Sequence, residues 1–354
     1  MFRLGVIGIR GQAGLWARGA SSQPGWQLSF CYHPDRNRHD AQLPLRQTDS
    51  FQQLLKSSEA IVIASPTFTH IGYLKRLAEA SYPGIVLVEK PVVATLLECT
   101  QLLDHFPRSF LNRVYVAQNW RFYPWVRKMR RLIEPSVQQK KVISADFQLT
   151  HDFGYKPGYR RSWRSERKTH PIGPAETQGI HLVDLIHYFF GPVDWIVGQV
   201  TNIARAGSAP DTASLFLMTK SGVACSIHTS YAAPVAYAVQ VVTSQRILSY
   251  RNGTLQEQHR SMPRSNQRSQ PSSGKTLLTV KLDGLLAVPI RQQLAALRRC
   301  LEGGSGSSLV PLFQGIANAA VLAGWAEDPS PNRLLRLSEN RIYQRTVRSF
   351  RSRA

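Results

Sequence analysis

Five short, apolar runs recur through the first third of the chain, and each leads through a turn into a stretch with helical spacing. They are Arg3 to Ile9, Trp26 to Tyr32, Ala60 to Ser65, Ile85 to Val88 and Val114 to Phe122. A strand covered on both faces reads as a continuous apolar run, whereas a strand with one wet face alternates. The intervening segments, from Leu15, Phe51 to Ser57, Ile71 to Ala80, Thr95 to His105 and Pro124 to Leu132, read as helices. Strands and helices in strict alternation predict an α/β unit with a doubly wound parallel sheet over residues 1–138.

In such sheets ligands lie beyond the carboxyl ends of the strands, so the strand exits are where chemistry is expected. The first exit is Gly8-Ile9-Arg10-Gly11-Gln12-Ala13-Gly14. Strand, glycine turn and helix is the context of a dinucleotide fingerprint: glycine lets backbone approach a pyrophosphate, and the helix N-terminus offers N–H groups and a positive dipole end. Gly8, Gly11, Gln12 and Gly14 are therefore candidate cofactor contacts. Their Gly-x-x-Gly-x-x-Gly spacing is one residue off the commoner pattern, and a tight turn with no ligand gives the same string. At the second exit an acid normally holds the ribose hydroxyls. Here Tyr32 stands at that point, followed by His33, Pro34, Asp35 and Arg36. An aromatic face with Arg36 nearby suits a 2′-phosphate, which favours NADP over NAD, while Asp35 keeps NAD open. Ser65, Pro66 and His70 form the next polar exit. Glu89-Lys90-Pro91 closes the most apolar strand, and proline biases Lys90 away from helix and sharpens the exit. Asn119 and Arg121 lie in the polar exit of the last run.

From Lys140 the texture changes. Val142 to Thr150 alternates, and Trp195 to Asn202, Thr212 to Thr219, Val223 to Tyr231 and Ala238 to Thr243 read as further strands. Few helices interrupt them, so residues 139–354 are expected to form an α+β domain with an open, mostly antiparallel sheet. Residues 258–275, rich in Ser, Gln, Arg and Pro, read as a mobile loop. Between the first two strands lie an arginine-rich segment, Tyr155 to Lys168, and the stretch Pro174 to Gly191, in which Leu182, Leu185, Ile186 and Phe189 sit at helical spacing and Gly191 is the stop. His181 and Asp184 fall within one turn of each other on that helix; Asp184 reads as structural, and His187 and Tyr188 as packing.

Forty-four Lys and Arg face 22 Asp and Glu, a net charge of +22. Such a field attracts anions, among them phosphorylated substrates, nucleic acid and acidic lipid. Arg160, Arg161 and Arg164 are one concentration, and Arg341, Arg345, Arg348, Arg351 and Arg353 another. No nucleic-acid-binding motif accompanies the charge, so nucleic acid is not an expected partner. No stretch approaches the roughly 20 apolar residues of a membrane-spanning helix. Four scattered cysteines without metal-like spacing, and a first segment that reads as a strand, lead to the expectation of a reduced, cytoplasmic protein with no metal site.

Four features agree in order and spacing: the glycine turn, Glu89-Lys90-Pro91, Asn119-Trp120-Arg121-Phe122, and Gly179-Ile180-His181-Leu182-Val183-Asp184. Together they resemble the glucose–fructose oxidoreductase, inositol dehydrogenase and rhizopine-catabolism (Gfo/Idh/MocA) family, and Trp163-Arg164 resembles that family's Trp-Arg pair. The resemblance covers nearly the whole chain and weakens after about residue 205. It implies a Rossmann domain plus an open-faced sheet domain, and a bound nicotinamide cofactor. It also implies oligomers, here a homodimer or homotetramer, and a sugar, cyclitol or sugar-nucleotide substrate. Lys90 matches the motif lysine and His181 the motif histidine. The family often carries an aspartate four positions before that histidine, where this chain has Thr177, with Glu176 beside it.

On that resemblance the expected reaction moves a hydride between NAD(P) and a secondary alcohol or ketone. Imidazole titrates near neutrality and suits a proton acceptor, so His181 would take the hydroxyl proton. Lys90 would stabilise charge on the same oxygen, and Glu176 would orient His181 or a neighbouring hydroxyl. Arg121, Trp163, Arg164 and Thr177 would contact substrate, and the high charge favours a phosphorylated or nucleotide-linked sugar. Two other classes stay open: a redox-neutral NAD-dependent glycosidase, and a non-catalytic dinucleotide- or sugar-sensing protein on the same fold.

Overall fold

The computed structural model describes residues 1–9, 11–38, 46–260, 274–280, 287–304, 308–330, 333–348 and 350. In chain order the first elements are β1 (Phe2–Ile7), α1 (Gln12–Ser21), β2 (Trp26–Tyr32), β3 (Gln47–Thr48), α2 (Phe51–Ser57), β4 (Ala60–Ile63) and α3 (His70–Glu79). Next come β5 (Ile85–Val88), α4 (Leu96–His105), α5 (Arg108–Leu111), β6 (Val114–Val116) and α6 (Pro124–Gln138). Then follow β7 (Val142–Thr150), α7 (Ile180–Phe190), β8 (Val193–Thr201), β9 (Thr212–Thr219), β10 (Ala224–Ser230) and β11 (Ala236–Thr243). The chain continues through β12 (Arg246–Arg251), β13 (Thr254–His259), β14 (Lys275–Thr279), α8 (Ala287–Leu301), β15 (Val310–Pro311) and α9 (Leu312–Ala326). It ends with β16 (Leu335–Arg336) and α10 (Arg341–Val347).

Two compact units result. The first comprises Met1–Phe122, Gly284–Ala320 and Thr346–Ala354, the second Tyr123–Asp283 and Val321–Arg345.

The first unit is built on one sheet in the order β15-β6-β5-β4-β1-β2-β3. All its pairings are parallel except the short edge pair of β15 with β6. The apolar runs explain this arrangement: Leu4, Val6, Ile7, Ala60 to Ile63 and Val86 to Val88 are fully buried, as strands covered on both faces must be. The run at Val114 gives a strand only as far as Val116; Asn119–Phe122 turns into a 3-10 helix. One face is covered by α1, whose Ala13, Ala17 and Ala20 let it lie close. Against that helix packs α8, from far along the chain. Gly19 leaves room for Ile290, and the Trp26 indole N–H donates to the Leu294 carbonyl at 3.2 Å. Burying Ile290, Leu294 and Leu297 in this way contributes roughly 1.5–3 kcal/mol each.

The second unit holds a nine-stranded sheet in the order β14-β13-β12-β11-β7-β10-β9-β8-β16. It is antiparallel except where β7 lies parallel to β10, so the alternating Val142 to Thr150 run sits centrally with one parallel and one antiparallel neighbour. The apolar stripe of α7 is buried almost throughout, and Trp125 of α6 stacks on Tyr250 of β12 with ring centroids 3.9 Å apart. Of the segment 258–275, residues 261–273 lie outside the described residues. Its ends are strand, β13 and β14, paired as a hairpin. In the basic tail, Arg351 and Arg353 also lie outside the described residues.

Candidate active site

In the first unit the carboxyl ends of β1, β4, β5 and β6 stand side by side. The glycine turn after β1 divides its roles. Gly8 has φ +120° and is buried; a Cβ there would stand 3.0 Å from the Ala64 carbonyl oxygen and 3.1 Å from the Ala13 Cβ. Gly11 has φ +57° with nothing within 4 Å of the Cβ position, so glycine there keeps a space open beside the helix N-terminus. At Gly14 a Cβ would meet only the flexible end of Arg18, so sterics do not demand glycine. No side chain caps α1, and Gln12 is exposed at its first position. Uncapped N–H groups beside an open glycine backbone fit a diphosphate. Gly8→Val is expected to destabilise the protein by roughly 1–3 kcal/mol from backbone strain alone and to abolish dinucleotide binding, read by thermal denaturation and nicotinamide fluorescence.

Glu89 and Lys90 follow β5, both partly buried. The Trp16 indole N–H, from α1, donates to Glu89 Oε1 at 2.8 Å, and the Lys90 backbone N–H donates to Glu89 Oε2 at 3.3 Å. Burial pushes the Glu89 carboxyl above its ordinary range, opposed by the Lys90 charge and the Trp16 bond. Glu89 thus ties the glycine-turn helix to the residue that carries the lysine, and Trp16 is a partner the sequence reading missed. The Lys90–Pro91 peptide is cis.

At the exit of β4 the Ser65 hydroxyl bonds that of Thr69 at 2.6 Å, and Pro66 is exposed. His70 is buried, with Nε2 2.9 Å from the Ser65 carbonyl and Nδ1 3.1 Å from the Pro91 carbonyl. Both ring nitrogens face backbone, so His70 braces two strand exits and leaves no ring nitrogen for a cofactor; burial lowers its pKa.

The exit of β2 differs from the expected picture. Tyr32 is buried, edge-on to Phe51 and Tyr73, and its hydroxyl accepts from Arg76 Nη1 at 3.1 Å. Its ring therefore offers no open face. Arg76, 3.8 Å above the Phe51 ring, completes this cluster and was not anticipated. Arg36 and Arg38 are exposed here, Arg36 lying 3.4 Å from Asp49.

After β6, the side-chain oxygens of Gln118 and Asn119 are buried without a protein hydrogen-bond partner among the described residues. Two unsatisfied acceptors at this edge fit a ligand that donates, such as a carboxamide. Arg121 donates to Gln314 Oε1 at 3.0 Å.

In the second unit, residues Ala175–Gly179 form a π turn leading into α7. Such turns cluster at functional sites, and they close over five residues instead of four. Thr177 precedes His181 by four positions and Glu176 by five. His181 is 7% exposed, while Glu176 and Thr177 are partly buried. The Thr177 hydroxyl makes a short hydrogen bond to the hydroxyl of Tyr231, a residue that no local sequence signal marked. Asp184 is fully buried, and His187 Nε2 pairs with the Tyr343 hydroxyl at 2.9 Å, both in packing positions. Trp163 is 40% exposed, with the Arg164 guanidinium 4.4 Å above its ring. No group of His, Cys, Asp or Glu that could hold a metal occurs among the described residues.

Residues 2–116 match the oxidoreductase family described as having an NAD-binding Rossmann fold, and residues 126–249 match the GFO/IDH/MocA C-terminal domain. The chain belongs to the Gfo/Idh/MocA family of oxidoreductases. No curated protein matches it in sequence. Among solved structures, an oxidoreductase from Desulfitobacterium hafniense described as NADPH-dependent superposes with a TM-score of 0.80 at 17% identity, over 96% of this chain and 98% of that one. An oxidoreductase from Agrobacterium radiobacter, in complex with NAD+, L-tartaric acid and magnesium, gives 0.76 at 15%, over 95% and 98%. Levoglucosan dehydrogenase, in complex with NADH and levoglucosan, gives 0.79 at 15%, over 96% and 100%. At such identities the likeness is one of fold. Membership of the family makes this chain an NAD(P)-binding oxidoreductase. Among the described residues no helix is long and apolar enough to cross a membrane.

Proposed function

We propose that the protein is an NAD(P)-dependent dehydrogenase or reductase acting on a secondary alcohol or ketone of a sugar, cyclitol or sugar derivative. The observation that carries this reading is one sheet edge. The open glycine turn, the Glu89–Lys90 exit and the unsatisfied Gln118 and Asn119 oxygens all stand at the carboxyl ends of the first unit's strands.

The dinucleotide would be held by Gly8, Gly11, the N–H groups of α1 and Asn119, and when bound it supplies the hydride acceptor or donor. Lys90 places a positive charge where negative charge develops on the reacting oxygen. His181 takes the proton of the hydroxyl, and Glu176, in the π turn that leads into the same helix, orients the imidazole or a neighbouring hydroxyl. Trp163 offers a ring to a sugar face. No carboxylate ends β2, and Arg36 is exposed there beside Asp49, which supports NADP; Asp35, paired to Arg38 at 3.5 Å, keeps NAD open. The four cysteines are free, in keeping with a cytoplasmic protein, and a homodimer or homotetramer is the assembly proposed.

Titration of the protein with NADPH and NADH, followed by nicotinamide fluorescence, tests this. Tight binding of either supports the reading, and a tighter complex with NADPH that Arg36→Ala weakens supports the 2′-phosphate assignment. Binding of neither would overturn the dehydrogenase reading.

A further inference from the structure

We propose that Trp16 is a positioning residue for the dinucleotide: one hydrogen bond from its indole holds the Glu89 carboxylate at the sheet edge, and so locks the helix after the glycine turn to the exit that carries Lys90. This rests on the dehydrogenase reading and adds to it a residue too deeply buried to touch cofactor or substrate.

Trp16 lies one turn into α1, beyond the uncapped N–H groups that suit a diphosphate. Its side chain is 1% exposed, in the core cluster that also holds Ala13, Ala17 and Val62. The indole N–H donates to Glu89 Oε1 at 2.8 Å, while Oε2 accepts the Lys90 backbone N–H at the longer distance of 3.3 Å. The shorter of the two bonds that fix the carboxylate thus comes from a different element. No cation lies within ion-pairing distance of Glu89 among the described residues. A carboxylate can accept about four hydrogen bonds, so this one keeps capacity for a ligand that donates.

Core packing alone does not call for this pair. A buried indole N–H needs an acceptor, but a backbone carbonyl serves: Trp26 donates to that of Leu294. Glutamine in place of Glu89 would accept the same bond without the cost of burying a charge. The carboxylate is therefore there for its charge, at the carboxyl end of β5, and the indole keeps it aimed and ionised. Burial raises the Glu89 carboxyl above its ordinary range, while the Lys90 charge and the Trp16 bond act against that rise. Lys90 is the one charged group acting on it among the described residues; its partner on α1 is the neutral indole. The ionised form is complete above the raised value and is lost as pH falls through it. Without the indole donor that value rises further, so the loss begins at higher pH.

Binding of NADH and NADPH to the full chain, followed by nicotinamide fluorescence across pH, tests this on wild type, Trp16→Phe, Glu89→Gln and the double variant. Each single substitution should weaken binding about tenfold, the scale of a hydrogen bond to a charged group. The double variant should bind no more weakly than Glu89→Gln, because the indole acts through the carboxylate. Wild-type affinity should fall with acid, begin to fall at higher pH in Trp16→Phe, and lack that step in Glu89→Gln. If the indole contributes only its bulk, Trp16→Phe costs the same factor in both backgrounds and leaves the step where it was, which overturns the proposal. A second measurement leaves Trp16 intact. Of the seven indole N–H signals in the proton–nitrogen spectrum of the labelled protein, one should move with pH and on adding the dinucleotide, and stop moving with pH in Glu89→Gln. The absence of such a signal overturns the proposal equally. Dinucleotide that fails to bind wild type removes the dehydrogenase reading and this inference with it, whereas binding indifferent to both substitutions removes this inference alone.

Discussion

Lys90→Ala is expected to lower kcat by roughly 10²–10³-fold, the range seen when one group stabilising a developing oxyanion is removed. Cofactor affinity should move by no more than a few fold, because the glycine turn and the N-terminus of α1 are untouched. Lys90→Arg should recover little: a planar fork on a longer stem does not replace a compact ammonium at a sharp strand exit. Steady-state rates on a sugar that the wild-type protein oxidises, set beside nicotinamide fluorescence, separate the two effects. The variant should also remain folded, since Val86 to Val88 are buried without help from the lysine. An unchanged kcat would remove Lys90 from the chemistry.

His181→Gln is the second large effect, a loss in kcat of roughly 10²–10⁴-fold, as expected for a positioned general base. Glutamine preserves hydrogen bonding and approximate size at a site only 7% exposed, so loss of folding should not confuse the result. The rise of kcat/KM with pH that an imidazole base imposes should vanish with it. Glu176→Gln should give a smaller loss with that pH dependence displaced, because Glu176 acts through the imidazole. If His181→Gln kept both its rate and its pH profile, the proton would have to leave by another group.

The parallel sheet was legible because burial on both faces writes itself as unbroken apolar runs: Ala60 to Ile63 and Ile85 to Val88 could hardly be anything else. The open sheet was legible as a class, but its order was not. Alternation in Val142 to Thr150 says that one face is wet, and nothing in it distinguishes a parallel neighbour from an antiparallel one. The same limit applies at the candidate site. Gly8, Lys90 and His181 announce themselves through local chemistry at a strand or helix end. Trp16, Arg76 and Tyr231 do not, because each acts on a residue distant in sequence, 73 positions away for Trp16 and Glu89 and 54 for Thr177 and Tyr231. Tyr32 was misread for a related reason. Its position at a strand exit is visible in the sequence, but the Phe51, Tyr73 and Arg76 side chains that bury its ring come from other elements.

The return of α8 to the first unit has a consequence for synthesis. The apolar surface that Trp26 and the alanines of α1 present is completed by Ile290, Leu294 and Leu297, and all of Tyr123–Asp283 emerges from the ribosome in between. At about 5–20 residues per second the nascent dinucleotide-binding unit waits roughly ten to thirty seconds for its cover. During that interval it carries an open hydrophobic face, a ready target for chaperones and the point at which an overexpressed chain would begin to aggregate.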